Sequence, residues 1–330
     1  MDTDSHLLRL PEVPMKKILD YCSYLDIQRL RSTCHHLQSS LDPSMTTISI
    51  TTYPGELELC LNSKNHRQET LIFHFKNMEN GCAAKMIVKR NNRRKRVKKF
   101  LKQVDYLDAL CADLRIFLNR QRGILEKFEL SQVELEVFEK LLHIFPSLPL
   151  KVHEIRLIAL SASQILPILL FFDAKHLKTM MILTSNPSDN FIDAIFDTEQ
   201  WKNIRICEVT DFRIMDLKRI SHFENFNGMV KSVTVEDVEY LKETFLHSPN
   251  FKKCKLMYDH NSDDWITTLP PEPLISQNRH GHTLKRWYFR CLHNEEKVLT
   301  LEWNSVKCIT FEVVKISEVP SNAVLREVIC

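Results

Sequence analysis

A six-residue pattern, with apolar residues at its first, fourth and sixth positions, recurs six times between residues 125 and 256. The repeats start 27, 25, 24, 29 and 21 residues apart, and amphipathic segments of helical length separate them. The last two apolar positions alternate as they do in a β-strand. The apolar residues are Leu125, Phe128 and Leu130; Val152, Ile155 and Leu157; Leu177, Met180 and Ile182; Trp201, Ile204 and Ile206; Val230, Val233 and Val235; and Phe251, Cys254 and Leu256. We therefore predict six strand–helix units.

The short period decides between two α/β architectures. A doubly wound sheet also alternates strands and helices, but its βαβ units usually exceed about 30 residues. The shorter period favours a leucine-rich-repeat-like solenoid, in which each unit stacks on its neighbours. The asparagine expected three residues after each strand is missing from all six repeats. We therefore predict an irregular βα solenoid backed by helices.

Other patterns predict the two ends of this solenoid. After Asp259 we expect a long loop over 260–283. Strand patterns at 284–289, 298–303 and 306–311 follow, and the close spacing of the last two predicts a C-terminal β-hairpin cap. Before the repeats, short antiparallel strands are predicted at 46–50, 57–61, 70–75 and 86–88. The helical pattern Leu101, Val104, Leu107, Cys111, Leu114 and Leu118 predicts an N-terminal capping helix.

The strand positions between the apolar residues predict a binding surface. In a solenoid these positions line one continuous concave face. They are mixed in charge in the first two repeats, but from Lys178 onward every charged residue among them is basic. Such a face suits an acidic or phosphorylated protein substrate. The predicted substrate-binding residues are Arg156, Lys178, Lys202, Arg205, Lys231, Lys252, Lys253 and Lys255. The alternative is a solvated strand face whose lysines serve solubility and edge protection.

Charge is concentrated in one block. Residues 85–102 hold ten lysines and arginines and no acidic residue, whereas the whole chain has a net charge of only +3. One interpretation of the block is a nuclear localisation patch. Nucleic-acid binding is not expected, because no aromatic residue interleaves the block before Phe100. The third interpretation is a solvated loop and first helical turn.

The sequence gives little sign of catalysis or of a bound metal or cofactor. Its five glycines form neither a phosphate-binding loop nor a dinucleotide motif. The ten cysteines include no C-x-x-C pair, which predicts neither a zinc site nor a redox pair and fits a reducing cytoplasmic or nuclear location. The pairs His280/His282 and Cys291/His293 lack the further ligands that a metal needs. No secretory signal or membrane span is expected, because the longest apolar stretch is only 165–172. We therefore expect a non-enzymatic protein without cofactor or metal.

The N-terminal residues predict two short helices. Met15, Ile18, Leu19 and Cys22 share one helical face, with Pro11 and Pro14 at its start. A second apolar series fits the next helix and consists of Ile27, Leu30, Cys34, Leu37 and Leu41. An ordinary N-terminal helical hairpin would show the same periodicity. The order Leu-Pro, Ile-Leu, Leu-Asp, Leu-Arg and Cys within 8–41 resembles an F-box, although Met15-Lys16-Lys17 and His36 depart from its common pattern.

Together, the F-box pattern, the small β region and the irregular βα repeats resemble the nematode F-box type A family that carries the FTH (DUF38) domain. The resemblance implies a substrate adaptor of a Skp–cullin–F-box ubiquitin ligase complex, which directs a protein substrate to ubiquitin-dependent degradation. Its implied adaptor-binding residues are Leu8, Leu10, Pro11, Ile18, Leu19, Leu25, Ile27, Leu30 and Cys34. The alternative is a solenoid scaffold for protein–protein interaction without ligase coupling.

The predicted domain boundaries follow from these patterns. They are an F-box at 5–42, a small antiparallel β region with a basic loop at 43–99, the FTH/DUF38-like solenoid with its capping helix at 100–259, and a loop with the C-terminal β cap at 260–330.

Overall fold

The computed structural model of the chain describes two compact units of mixed α/β structure. One unit comprises Met1–Leu160 and Pro167–Leu177, and the other comprises Ser161–Leu166 and Lys178–Cys330. The structure describes residues 11–22, 26, 29–30, 45–63, 69–90, 93–121, 123–145, 149–186, 192–261, 266 and 272–326.

The first unit is built on a sheet that combines antiparallel and parallel strands. The strands lie in the order β5-β4-β3-β2-β1-β6-β7, antiparallel from β5 to β1 and parallel from β1 to β7. The elements are α1 (Glu12–Tyr21), β1 (Met45–Tyr53), β2 (Glu56–Ser63), β3 (Thr70–Met78), β4 (Gly81–Arg90), β5 (Arg93–Lys102), α2 (Tyr106–Arg120), β6 (Leu125–Ser131), α3 (Leu135–Leu142) and β7 (Val152–Ser161). The four short strands predicted before the repeats are thus present as β1–β4.

Helix α2 covers one face of the antiparallel strands. Its buried residues Leu110 and Leu114 pack toward β2, β3 and β4. The helix begins later than predicted, because the Asp105 carboxylate accepts hydrogen bonds from the backbone N–H groups of Leu107 (2.9 Å) and Asp108 (3.2 Å) and so caps it. Leu101, predicted as its first apolar position, lies instead on β5.

The predicted basic loop is also a strand. Residues 93–102 form β5, which pairs with β4 along its whole length. Periodicity could not predict this strand, because the side chains of residues 93–100 are all exposed and no apolar alternation marks a buried face. Backbone pairing with β4, and not burial, fixes the conformation of this segment.

The second unit contains parallel strands followed by antiparallel ones. Its sheet has the order β8-β9-β10-β11-β15-β14-β13-β12, with β16 beside β13. The strands are β8 (Thr179–Asn186), β9 (Ile206–Ile214), β10 (Asn225–Val233), β11 (Lys253–Asn261), β12 (Leu274–Gln277), β13 (Thr283–Arg290), β14 (Lys297–Asn304), β15 (Cys308–Lys315) and β16 (Leu325–Arg326). The helices are α4 (Ala162–Leu169), which the division between the units crosses, α5 (Ile192–Phe196), α6 (Glu199–Asn203) and α7 (Val235–His247); 3-10 turns lie at Leu217–Ile220 and Ile316–Glu318.

Register aligns the apolar positions of this unit into buried rows. One row crosses five neighbouring strands from β8 to β15, and all of its residues are buried: Met180, Cys207, Phe226, Cys254 and Phe311. An aromatic cluster supports its end, because the ring of Phe245 on α7 stacks on Phe251 at 3.8 Å and meets Phe311 edge-on at 5.3 Å. This row is the centre of the hydrophobic core.

Two of the six predicted repeats are out of register. Trp201 lies on α6 and Ile206 is 38% exposed, so the buried positions of β9 are Cys207, Val209 and Ile214. Val235 starts α7 and is not part of β10. In both places a threonine begins the helix: the Thr198 hydroxyl accepts from the Trp201 N–H (3.2 Å), and Thr234 forms a capping box with Asp237.

The C-terminal strands confirm the predicted hairpins and correct their details. Strands β13, β14 and β15 are antiparallel, and β15 pairs with β11. Val306, predicted as a core position, is exposed in the turn before β15. Strand β12 falls within the region 260–283 that was predicted to be a loop and pairs with β13.

Candidate functional site

Helix α1 presents apolar side chains to solvent. Pro11 immediately precedes it and its carbonyl accepts a hydrogen bond from the Met15 N–H (3.1 Å), while Pro14 occupies the first turn. Pro11 and Pro14 are exposed, Val13 is 66% exposed and Ile18 is 42% exposed. Ile18 lies on the helical face that the sequence predicts to contact a partner, and helix recognition uses such apolar anchors, whereas Val13 lies about 140° around the helix from it.

The structure describes only part of the predicted adaptor-binding set. Pro11 and Ile18 are exposed, whereas Leu30 is half-buried in a helical segment with Arg29. Leu19 lies within α1. The remaining predictions, which lie outside the described residues, are Leu8, Leu10, Leu25, Ile27 and Cys34. Adaptor binding by this set stays a prediction.

Most of the predicted substrate-binding cations have acidic partners. In the first unit, Arg156 forms an ion pair with Glu154. In the second unit, Lys202 lies on α6 and not on a strand, and it pairs with Glu199 (3.0 Å). Pairs also join Arg205 to Glu224 (3.4 Å), Lys252 to Glu224 (3.2 Å) and Lys253 to Glu312 (3.1 Å). Lys178 and Lys231 are exposed, and Lys255 is half-buried.

The prediction that this face of the second unit is uniformly positive is wrong. Glu208 of β9 and Glu312 of β15 occupy the same side of the sheet as Lys253 and Lys255, because they alternate with buried residues of the same strands. Glu208 also accepts a hydrogen bond from the Asn227 side chain (3.2 Å). Local sequence windows missed these acidic residues, because one repeat was out of register and β15 lies outside the repeats.

A polar cleft lies on this face of the second unit. It has a volume of about 570 Å³ and is formed mainly by side chains of β11, β13, β14 and β15. Strand pairing builds it from two rows: Lys253, Glu312, Thr300 and Tyr288 in one, and Lys255, Thr310, Glu302 and Arg286 in the other. Of the predicted substrate-binding residues, Lys253 and Lys255 line it. The lining residues on β13, β14 and β15 were not predicted, although the alternation of polar and apolar residues along these strands could have indicated them.

The charges in the cleft differ in how far they are compensated. Lys253 pairs with Glu312, and Arg286 pairs with Glu302 (2.6 Å). Lys255 has no ion-pair partner within the described part of the chain. The Thr300 hydroxyl is buried and also lacks a hydrogen-bond partner there. Lys255 is therefore the cation of the cleft that no described acidic residue compensates. Burial raises the pKa of the neighbouring Cys308 thiol, and the positive charge of Lys255 opposes part of this shift.

A C-terminal strap crosses the polar face. Residues 316–324 connect the end of β15 to β16, which pairs with β13 on the other side of β14. Glu318 and Pro320 from this segment line the cleft, so the connection runs over the polar side of the sheet. The Glu318 carboxylate accepts a hydrogen bond from the Lys315 N–H (3.2 Å), which fixes the start of the strap.

The histidine pairs noted in the sequence do not form a compact ligand set. The rings of His280 and His282 are 6.4 Å apart between centroids, and His293 Nε2 lies 2.8 Å from the His247 carbonyl oxygen. Among the described residues, no group of three or more His, Cys, Asp or Glu could hold a metal ion. Burial raises the pKa of the Cys207 and Cys254 thiols, which disfavours the reactive thiolate.

Within the described ranges, no helix combines the length and the apolar character needed to cross a membrane.

Two family models match the chain. An F-box domain matches residues 7–45, which include α1, and an FTH domain matches residues 126–270, which run from β6 past β11. The first match makes the chain an F-box protein. F-box domains generally bind Skp-type adaptors of cullin ubiquitin ligases.

Together the two matches show that the chain belongs to the family of F-box proteins with an FTH (DUF38) domain, as predicted. The nematode origin and the domain boundaries stay predictions. Among curated proteins, none matches the chain.

Proposed function

We propose that this protein is the substrate-recognition subunit of a Skp–cullin–F-box ubiquitin ligase. The observation that carries the proposal is the F-box match over 7–45, within which α1 exposes Pro11 and Ile18. The F-box binds the adaptor and, through it, a cullin. The protein contributes no catalytic residue and acts by holding a protein substrate near the ligase, in the cytoplasm or the nucleus.

The FTH region supplies the substrate platform in this proposal. Its βα units are irregular repeats of the leucine-rich-repeat kind. The support is that β8–β11 are parallel, follow one another in chain order and align their apolar residues in register. The antiparallel strands β13–β15 extend this platform as its C-terminal cap.

The substrate binds in the polar cleft of the second unit. Lys255 offers an uncompensated positive charge to an acidic or phosphorylated side chain. Met257 and Tyr288 line the cleft beside it and provide apolar contact. Because Lys253 and Arg286 already pair with glutamates, we infer a substrate segment with one anionic group, which narrows the acidic or phosphorylated substrate predicted from the sequence.

Adaptor binding is tested with two substitutions on α1. Ile18→Asp places a charge on the predicted contact face and should weaken binding of a purified Skp-type adaptor more than about 30-fold, the effect of losing one hot spot. Val13→Asp is the matched control, since Val13 is even more exposed and lies about 140° around the helix from Ile18. Equal adaptor binding by both variants would contradict the proposed contact. Wild-type protein that binds no adaptor would favour the alternative function, a scaffold without ligase coupling.

Substrate binding is tested with an array of acidic and phosphorylated peptides. Lys255→Glu should weaken binding of the peptides with the highest affinity by about tenfold or more, because the new carboxylate repels the anionic group of the peptide. Lys297→Glu is the control, because Lys297 is an exposed basic residue of β14 outside the cleft. Peptide binding that is indifferent to Lys255→Glu would rule out the cleft as the substrate site and leave the adaptor result intact.

A further inference from the structure

The hairpin formed by β4 and β5 concentrates positive charge that no described residue of the first unit compensates with an ion pair. All ten basic residues of 85–102 lie on these two strands, and the interval contains no acidic residue. None of them forms an ion pair within the described part of the chain. The nearby carboxylate of Asp113 lines a shallow hollow with Lys85 and Lys99 without pairing to either.

The pairing register places like charges directly opposite one another. Lys89 faces Arg94, Lys85 faces Lys98 and Arg90 faces Arg93 across the two strands. Like charges at such positions destabilise a hairpin. The free chain therefore bears an electrostatic cost at these three pairs, and a partner of opposite charge would relieve it.

Strand β5 also ends the sheet of the first unit and leaves one backbone edge open. No described strand pairs with its outer side. The Gln103 N–H donates to the Asn80 carbonyl (3.1 Å), so the odd-numbered residues bond to β4 along the regular register. The N–H and C=O groups of the even-numbered residues point to the open edge. These residues are Arg94, Arg96, Lys98 and Phe100.

Charge and geometry together select the kind of partner. A second copy of the chain would bring its own positive strand to the edge and be repelled. A two-stranded ribbon can enter the DNA major groove, but β4 is bonded to β3 on its other side, so this hairpin does not stand free. A single-stranded nucleic acid gains affinity from stacking on aromatic rings, and Phe100 is the only aromatic residue on β5. An extended acidic peptide satisfies both the open backbone groups and the charge.

We propose that β5 is a docking strand for an extended acidic peptide segment, which adds to the sheet as a further strand. Backbone hydrogen bonds to residues 94, 96, 98 and 100 supply affinity. The acidic side chains of the segment lie beside Arg94, Arg96 and Lys98 on one face of the sheet and beside Lys95 and Lys99 on the other. None of these residues belongs to the F-box match or lines the polar cleft, and the inference does not depend on the proposed ligase role.

The proposal is tested on the full-length protein with a labelled decapeptide that alternates glutamate and threonine. Two matched probes have the same sequence and charge. Each carries N-methyl groups on alternate amides, one on the odd-numbered and the other on the even-numbered residues, and so lacks the backbone donors of one edge. Fluorescence anisotropy at low salt should show binding of the unmethylated peptide. The form whose methyl groups lie on the edge that faces β5 should bind at least tenfold more weakly, whereas the form methylated on the outer edge should keep most of its affinity. Equal affinity of the methylated and unmethylated peptides would overturn strand addition, as would the absence of binding.

Two protein variants separate the backbone contribution from the charge. Arg96→Pro removes an outward N–H and one charge, and proline is tolerated at such edge positions. Arg96→Ser removes the same charge and keeps the N–H. We expect Arg96→Ser to weaken peptide binding by a few-fold and Arg96→Pro by at least tenfold, with circular dichroism confirming that both variants are folded. A single-stranded DNA decamer that binds more tightly than the peptide, with both variants weakened equally, would instead assign β5 to nucleic acid and overturn the proposal.

Discussion

The buried row of the second unit and the basic strand β5 are both β-structure, but different forces hold them. A row of five aligned residues crosses five strands, and none of them is more than 3% exposed: Met180, Cys207, Phe226, Cys254 and Phe311. Residues 93–100 of β5 are exposed on both faces of the sheet. Burial stabilises the first region, whereas the second depends on backbone pairing with β4 against its own charge repulsion. The strands of the buried row therefore build the core, whereas β5 leaves its side chains and its outer edge available to a partner.

The largest effect should come from the end of the buried row. Phe311→Ala removes a fully buried ring that contacts Phe245, and we expect the free energy of unfolding to fall by about 3–5 kcal/mol. Urea unfolding followed by circular dichroism measures the change. Phe100→Ala on β5 is the matched control and should change stability by less than about 0.5 kcal/mol, because that ring is exposed. Similar losses of stability in the two variants would contradict the view that burial stabilises the core row but not β5.

The helix cap after β10 should give an intermediate effect. The Thr234 hydroxyl accepts from the Asp237 N–H (3.2 Å), so Thr234→Ala should lower the free energy of unfolding by about 1 kcal/mol. Thr234→Ser keeps the hydroxyl and should restore most of this loss. An alanine variant as stable as the wild type would mean that packing alone, without the cap, sets the start of α7.

A charge reversal on the hairpin of β4 and β5 should increase the stability of the protein, whereas the two substitutions above decrease it. Arg94→Glu converts the Lys89–Arg94 repulsion into an attractive pair and should raise the free energy of unfolding by roughly 0.2–1 kcal/mol. The gain should shrink as salt is added, because both side chains are exposed or half-exposed. Urea titrations at two salt concentrations measure both features. A loss of stability would show that the like charges do not oppose hairpin formation.

The smallest effect concerns Asp113 of α2. Burial raises the pKa of its carboxyl above the ordinary value of 3.8, so the folded state binds this proton more readily than the unfolded state does. Its destabilising contribution is therefore complete above the folded-state pKa and disappears as the pH falls below 3.8. Asp113→Asn should be slightly more stable than the wild type at pH 7, and the difference should narrow on acidification. A difference that widens at low pH would contradict this sign.

Sequence patterns predicted those parts of the fold in which burial controls the alternation. Phe128, Ile155, Met180 and Cys254 are buried as predicted, and α1 forms where its apolar periodicity indicated. The pattern failed around Trp201, because this residue lies in the middle of α6 and Ile204 caps that helix, so the six-residue template began in a helix and not in β9.

Other features depend on contacts that are distant in sequence. Strand β5 has no apolar alternation, so only its pairing with β4 makes it a strand. The polar cleft brings together residues of β11 and β13–β15, and no local window contains both Lys255 and Arg286. Lys253 and Lys255 lie on β11 as strand-face residues, as the pattern indicated. The acidic partner of Lys253 is Glu312 of β15, and that of Lys252 is Glu224, just before β10.

The division into two units has a spectroscopic consequence. All four tryptophans, at positions 201, 265, 287 and 303, fall in the second unit. Trp201 is buried between Phe196 and Phe223, and its indole N–H donates to the Arg219 carbonyl (2.9 Å), so its emission depends on intact packing there. Intrinsic tryptophan fluorescence therefore reports on the unfolding of the second unit alone. Unfolding confined to the unit that carries the F-box would leave this emission unchanged while circular dichroism recorded the loss of structure.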